Sequence, residues 1–392
     1  MCKIDISISM DPDLNYNRRQ FWPYKRLYGA GKTIKQSKNN TNTNTNTNTN
    51  TNTNTNTKHT KKIFHLVNNK IATDHELINR LGSLYIPPAY KDIIVAKSAN
   101  NKIQAIGTDK KGRRQYIYNN SFTKKRNDRK WDDILELAKK ISQIEKDNDY
   151  AINNLIHKPY QKWQFPDDFI PIIIYMLRTY HFRIGNERYA DQNQSYGITT
   201  LRDEHIKWLP NGKFKIEFIG KKGILNSFTD DNNIIARLLR KIITGSRESD
   251  YGGFLFKYNH TMPDNSKVIS FITPDQIQDH FQSKYNAYIT PKMFRTWYGN
   301  YHLLTFLRKL YLDGQITYRP TRQIRNQIIN QCSEYVSSKL NNTPTVSKQS
   351  YIDNKILDLV MRNPYRLASK IPDDNDGQHR FLYIIIKKIR NI

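Results

Sequence analysis

The chain is poor in cysteine, in long apolar runs and in acid. Cys2 and Cys332 are its only cysteines in 392 residues, too few for a disulfide framework or a cysteine-rich zinc site. Its ten histidines show no paired metal-ligand spacing, so neither metal chemistry nor a cofactor is indicated. No apolar signal core opens the sequence, and the longest apolar run near the end, residues 381–386, is far too short to span a bilayer. The expectation is a soluble, intracellular protein that is not secreted. Acids number 35 against 63 lysines and arginines, a net charge of +28. So dense an excess calls for a polyanionic partner, nucleic acid first. The cations are spread along the chain and not gathered beside an apolar stretch, which argues against a membrane surface.

A chain of this length can hold two ordinary domains. Residues 40–57 alternate Asn and Thr without interruption, and a tract with nothing apolar to bury cannot offset its ordering entropy, so disorder is expected there. Beyond it, residues 102–108 and 114–119 read as strands around Asp109-Lys110-Lys111-Gly112, whose glycine can supply a positive φ. The basic stretch 124–130 reads as a linker into a helical pattern over 131–144, where Ile134, Leu135, Leu137, Ala138 and Ile141 recur at helical spacing. This places a boundary near Arg126 and divides the chain into a β-rich part, 1–126, and a mainly α part, 127–392. In the second part an apolar helix is predicted over 166–180, and Thr273-Pro274 and Thr290-Pro291 each offer a hydroxyl N-cap followed by proline at N1. Phe214, Ile216 and Phe218 alternate with polar residues in a strand that Gly220-Lys221-Lys222-Gly223 turns into a hairpin.

Tyr351 ends the helical segment 340–351 in hydroxyl-rich surroundings. A phenol can attack phosphorus, but with a free pKa near 10 it needs fixed positive charge to stabilise the phenolate and the transition state. Arg183, which follows the apolar helix, and Arg295, in Phe294-Arg295-Thr296-Trp297, could each fork onto phosphate oxygens. Lys221 on its turn could protonate a departing 5′ oxygen, with Lys222 as the fallback. Each cation alone reads more simply as a solvated side chain, and Tyr351 as an amphipathic helix end. Together they supply what metal-free phosphodiester cleavage requires.

Four stretches, Gly112-Arg113-Arg114-Gln115-Tyr116-Ile117-Tyr118, Arg183-Ile184-Gly185, Gly197-Ile198-Thr199-Thr200-Leu201, and Asn342-Thr343-Pro344 through Tyr351, resemble type IB DNA topoisomerases of the compact poxvirus kind, in the branch carried by large DNA viruses such as mimivirus. The resemblance runs from about Lys62 to the C-terminus. It implies Tyr351 as nucleophile, Arg183 and Arg295 as ligands of the nonbridging oxygens, and Lys221 as general acid. Asn342 stands where poxvirus enzymes have histidine; it can donate a hydrogen bond to a phosphoryl oxygen but carries no charge. DNA contacts are implied for Arg113, Gln115, Tyr116, Tyr118 and Arg126, and for Tyr189 and Asn193 on the helix after Arg183, where Asn186 replaces an expected lysine. The competing view of Tyr116 and Tyr118 is that of ordinary strand aromatics, at least one facing inward. His205 reads as a hydrogen-bonded structural histidine.

The resemblance thus implies an α+β protein with a small β-rich N-terminal domain and a larger, mainly α catalytic domain, closing on double-stranded DNA as a C-shaped clamp and acting as a monomer. Packaging into a particle would follow if the source is viral. The reaction implied is reversible single-strand cleavage through a 3′-phosphotyrosyl link, with strand rotation. A tyrosine recombinase shares this logic but usually has histidine three residues before the arginine, at the position of Lys292. An architectural DNA-binding protein is equally compatible with the charge.

Overall fold

The computed structural model describes residues 20–28, 63–245, 253–262 and 265–391, and the Asn/Thr tract at 40–57 lies outside them. The chain divides into two compact units, Met1–Asp128 and Arg129–Ile392.

The described part of the first unit is built on an antiparallel sheet. Its strands are β1 (Phe21–Tyr28), β2 (Ile63–Val67), β3 (Lys70–Ile71), β4 (Lys91–Ala96), β5 (Ile103–Thr108) and β6 (Arg114–Tyr118), with helix α1 (His75–Ser83) between β3 and β4. The spatial order is β3-β2-β1-β4-β5-β6. The sheet is covered by apolar residues on both faces. Tyr24, Val95 and Ala105 pack with Leu81 and Ile86 on one side, and Phe21, Ala96, Ile103 and Ile106 cluster on the other. The β5–β6 turn forms as its residues predict: Gly112 has φ +75°, and Asp109 Oδ1 accepts the Lys111 and Arg113 amides at 2.9 and 3.0 Å. Strands β1 to β4 were not predicted.

Residues 124–130 are a correction. They lie inside α2 (Asn120–Leu155), a helix of 36 residues. A run of cations looks like a linker, yet nothing in it stops a helix. Asn119 accepts the Ser121 amide at 2.9 Å at its start, and neither proline nor glycine occurs from 120 to 155. The charges are the solvent face, while Trp131, Ile134, Leu135, Leu137, Ile141 and Ile144 are buried on the other.

The second unit is mainly helical. After α2 come α3 (Ile170–Thr179), α4 (Glu187–Asn193), a three-stranded antiparallel sheet of β7 (Ile206–Trp208), β8 (Phe214–Gly220) and β9 (Ile224–Asp230), then α5 (Asn233–Gly245) and the hairpin β10 (Lys257–Thr261) with β11 (Lys267–Phe271). The chain continues through α6 (Pro274–Tyr285), α7 (Pro291–Leu312), α8 (Arg322–Leu340), α9 (Pro344–Ser350), α10 (Asn354–Arg362), α11 (Pro364–Ala368) and α12 (Asn375–Arg390). Helices α6 and α7 both start at their Thr-Pro pairs, but only Thr273 of α6 makes the hydroxyl cap, accepting the Gln276 amide at 3.3 Å; Thr290 at the start of α7 makes no side-chain capping bond. The predicted apolar helix is shorter than expected, because a 3-10 turn at Asp167–Phe169 takes up its beginning.

Helix α7 is the axis of this unit and packs against α3, α8, α11 and α12. Phe294, Trp297, Leu303 and Leu307 are completely buried, each contributing roughly 1.5–3 kcal/mol by removal from water. A helix so enclosed can hold polar side chains in fixed positions, and Arg295 and Asn300 are two of them.

Candidate active site

The loop after α3 and the short segment beginning at Gly197 lie against each other, which explains two of the sequence motifs. The Ile198 amide bonds the Arg183 carbonyl at 2.9 Å, and the Gly185 amide bonds Thr199 Oγ1 at 3.1 Å. A Cβ on Gly197 would stand 2.6 Å from the Arg183 oxygen, and one on Gly185 would stand 2.2 Å from Thr200 Oγ1. Glycine is required on both sides of this contact, and the contact fixes the backbone that carries Arg183.

Tyr351 is set by a different route. Helix α8 ends at Asn341 in the left-handed region, with φ +48°, so the chain reverses at once. Thr343 then caps α9, its side chain accepting the Val346 amide at 3.3 Å, with Pro344 at N1. Tyr351 occupies the C-cap of that seven-residue helix, its amide on Ser347 O at 3.0 Å.

These routes bring Arg183, Arg295, Asn342 and Tyr351 together. Arg183 Nη2 donates to Asn342 Oδ1 at 2.7 Å and lies 3.5 Å from the Tyr351 hydroxyl. Arg295 is 3% exposed and is gripped by carbonyls: Nη1 donates to His181 O, and Nη2 donates to Leu340 O at 2.7 Å. Its guanidinium carbon sits 5.0 Å from the Tyr351 ring centre. Arg295 Nε and Asn342 Nδ2 are buried donors with no partner among the described residues, as would suit groups that await an acceptor.

The electrostatics follow from this packing. Burial acts to raise the Tyr351 phenol, but the charges of Arg295 and then Arg183 outweigh it and leave the group below its ordinary value. Burial brings Arg295 down to about 10, against an upward pull from Tyr351 and with a further push down from Arg183. A phenol made more acidic beside two cations and unsatisfied donors is equipped to attack an anionic phosphodiester.

Lys221 and Lys222 are exposed on the turn between β8 and β9. Asn341 Nδ2 donates to Leu225 O at 2.7 Å, which ties the turn end of that hairpin to the residue preceding Asn342. Asn193 is exposed at the end of α4, and the side chain of Tyr189 lies outside the described residues. His205 has a structural place: its Nδ1 accepts the Arg202 amide at 3.0 Å, and its ring lies edge-on to Tyr196.

In the first unit, Arg113 forks onto Asp109 Oδ2 at 2.9 and 2.7 Å, and Gln115 donates to the same oxygen at 3.0 Å. Tyr116 and Tyr118 share one face of β6 and are both half-buried against the Phe21, Ile103 and Ile106 cluster, so both lean inward where at least one was expected to. Exposed Arg126 places its guanidinium carbon 5.4 Å from the Tyr118 ring.

Asn300 was not foreseen. It is fully buried; Nδ2 donates to Thr296 O at 2.8 Å and Tyr351 O at 2.9 Å, while Oδ1 accepts the Asp353 amide at 2.8 Å. The only signal available was one amide in a helix rich in aromatic and apolar residues.

Comparison with known proteins places the chain in a family. The family profile for the eukaryotic DNA topoisomerase I catalytic core matches residues 119–364, and the bacterial DNA topoisomerase IB N-terminal domain matches residues 64–109. The chain is similar to DNA topoisomerase 1B of Acanthamoeba polyphaga mimivirus, 30% identical over 334 residues that cover 84% of this chain and 93% of the relative. The chain belongs to the type IB DNA topoisomerases. It is also similar to DNA topoisomerase 1 of rabbit fibroma virus, with 28% identity over 70% of the chain and 79% of the relative. DNA topoisomerase 1B of vaccinia virus (strain Copenhagen) matches at 25% identity over 82% and 93%. This topoisomerase is therefore of the large DNA virus type. Its fold accords with the family: mixed α and β, with an N-terminal sheet and a larger, mostly helical part. No helix among the described residues is long and apolar enough to cross a membrane.

Proposed function

We propose that the Tyr351 oxygen attacks the scissile phosphate of duplex DNA, forming a 3′-phosphotyrosyl bond and releasing a 5′ hydroxyl strand. The observation that carries this reading is the pairing of a buried phenol with two guanidiniums, Arg183 at 3.5 Å from its oxygen and Arg295 over its ring. Arg183, Arg295 Nε and Asn342 Nδ2 take the nonbridging oxygens, where charge builds in the transition state. Lys221 donates the proton to the departing 5′ oxygen. The freed strand swivels to release supercoils, and its hydroxyl then attacks the phosphotyrosine to reseal. The covalent link conserves the bond energy, so this scheme consumes no ATP.

The β6 residues Arg113, Gln115, Tyr116 and Tyr118, with Arg126, Tyr189 and Asn193, contact DNA in this reading. The two units close on the duplex as a C-shaped clamp, split near Arg126, and one copy suffices, working on intracellular DNA. The +28 charge supports such an interface, since binding that neutralises many phosphates weakens with salt at a slope of about −0.9 per contact.

The deciding experiment is relaxation of supercoiled plasmid by Tyr351→Phe. Relaxation and covalent adduct are expected to disappear while DNA binding persists, and peptide mapping of the wild-type adduct should place the nucleotide on Tyr351. Unchanged relaxation would reject the assignment.

A further inference from the structure

Two successive carbonyls at the nucleophile are held by side chains from two helices. Asn300 of α7 holds Tyr351 O, as described above. The other is Ser350 O, the last carbonyl of α9, which has no partner within its own short helix. Lys130 Nζ, from α2, donates to it at 2.8 Å. The ammonium also lies 4.9 Å from the Trp131 ring centre, and the Arg390 guanidinium lies 4.5 Å from the same ring. Arg390 in turn forks onto Asp353 at 2.8 Å, and Asp353 is 1% exposed. Lys130 is thus one end of a braced chain, Lys130–Trp131–Arg390–Asp353, whose two ends meet the backbone on either side of Tyr351 in sequence, at Ser350 O and at Asp353.

We propose that Lys130 is a positioning residue for the nucleophile: by holding the Ser350 carbonyl it sets the peptide from which the Tyr351 side chain hangs, and its charge favours the phenolate. The proposal rests on Tyr351 being the nucleophile. A flexible neutral side chain at 130 would leave Ser350 O to water and the Tyr351 peptide held only through its amide on Ser347 O, able to tilt and displace a phenol that must reach phosphorus in line.

The groups facing this ammonium are Lys292 at the start of α7, Asp353 before α10, Tyr351 and Arg390 of α12. Burial is the largest influence and, with Lys292, depresses Lys130; Asp353 and Tyr351 oppose this and Arg390 adds to it, leaving the group at about 8. The positive charge is therefore present below about pH 8 in the free protein and lost above it. Arginine at this position would stay charged throughout.

The test compares Lys130→Met and Lys130→Arg in the full chain. Covalent-adduct formation is measured in single turnover, and DNA affinity is measured separately in a Tyr351→Phe background. Lys130→Met is expected to slow adduct formation at least tenfold with affinity changed less than threefold, and Lys130→Arg to recover most of that rate. At subsaturating protein, the wild-type rate relative to Lys130→Arg should fall between pH 7 and 9. Three outcomes would each overturn the proposal: less than a tenfold effect in Lys130→Met, a loss matched by weaker DNA binding, or a loss that Lys130→Arg leaves unrepaired. Tyr351→Phe alone keeps the two readings apart. If it still forms adduct, the nucleophile is misassigned; if it forms none while Lys130→Met reacts at the wild-type rate, only the role of Lys130 fails.

Discussion

Arg295→Ala is the perturbation whose consequences can be worked most fully from the geometry. With the guanidinium carbon 5.0 Å from the centre of the Tyr351 ring, a unit charge at an effective dielectric of about 20 stabilises a phenolate by roughly 3 kcal/mol. Removing that charge therefore raises the phenol's pKa, since Arg295 is the largest of the influences that hold it down against burial. Loss of a donor to the phosphoryl oxygen adds a factor of about 10²–10³ in rate, as for other preorganised oxyanion ligands. The substitution also strands the His181 and Leu340 carbonyls, each costing about 1–3 kcal/mol of stability if water does not reach it. Arg295→Lys separates these effects, since it keeps the charge but cannot fork onto both carbonyls. The assay is single-turnover adduct formation from pH 6 to 10, beside a thermal melt of each variant. Arg295→Ala should shift the rising limb of the rate profile to higher pH and lower its plateau at least a hundredfold; Arg295→Lys should shift the limb less. A plateau within threefold of wild type in a folded Arg295→Ala protein would refute the electrostatic account of the site.

Asn300→Asp keeps the acceptor for the Asp353 amide but sets a carboxylate against Tyr351 O; adduct formation should fall at least tenfold, and a wild-type rate would show that Tyr351 O needs no anchor. His181 and His302, joined through their Nε2 atoms at 2.7 Å, are both held neutral by burial, His302 down at about 3 and His181 well below its ordinary value. Because these folded-state values are depressed, stability is full above about pH 6.5 and falls as acid protonates the unfolded chain. Between pH 7 and 5 each such histidine should cost about 2 kcal/mol; a chemical denaturation midpoint flat over that range would contradict this. Asp109, held at about 2 first by its hydrogen bond from Arg113, occupies both Arg113 and Gln115. Asp109→Ala should tighten binding to random duplex by about threefold, the scale of an exposed ion pair, and blunt any cleavage-site preference; unchanged binding in a fluorescence anisotropy titration would show that Asp109 does not restrain them.

Local features were readable wherever the cause was local. The Asp109–Gly112 turn needs only a side-chain acceptor and one glycine, and the Thr-Pro start of α6 needs only a cap and a fixed φ; these appear as expected, and α7 starts at its Thr-Pro pair without the hydroxyl bond. The 124–130 run misled because charge density was taken as a linker signal when helix continuity depends on backbone-breaking residues, and none is present. Strand β1 was missed because its partners are distant: it pairs with β2 across the long Asn/Thr tract and with β4 beyond α1.

The candidate site shows the same division more sharply. Arg183, Lys221, Arg295, Asn342 and Tyr351 came to notice through motif wording, because no single one differs from an ordinary surface cation, amide or tyrosine. Asn300 and Lys130 had no motif at all. Lys130 meets Ser350 from 220 residues away, and Asn300 matters only because the α9–α10 junction lies against α7. Net charge, the turns and most helix starts were settled by residue types and nearest neighbours, since their energies act over a few positions. The acidity of the phenol, the clamped carbonyls and the orphaned donors arose only when packing excluded water and set distant groups a few ångströms apart, since Coulomb and hydrogen-bond energies depend on spatial separation and not on position along the chain.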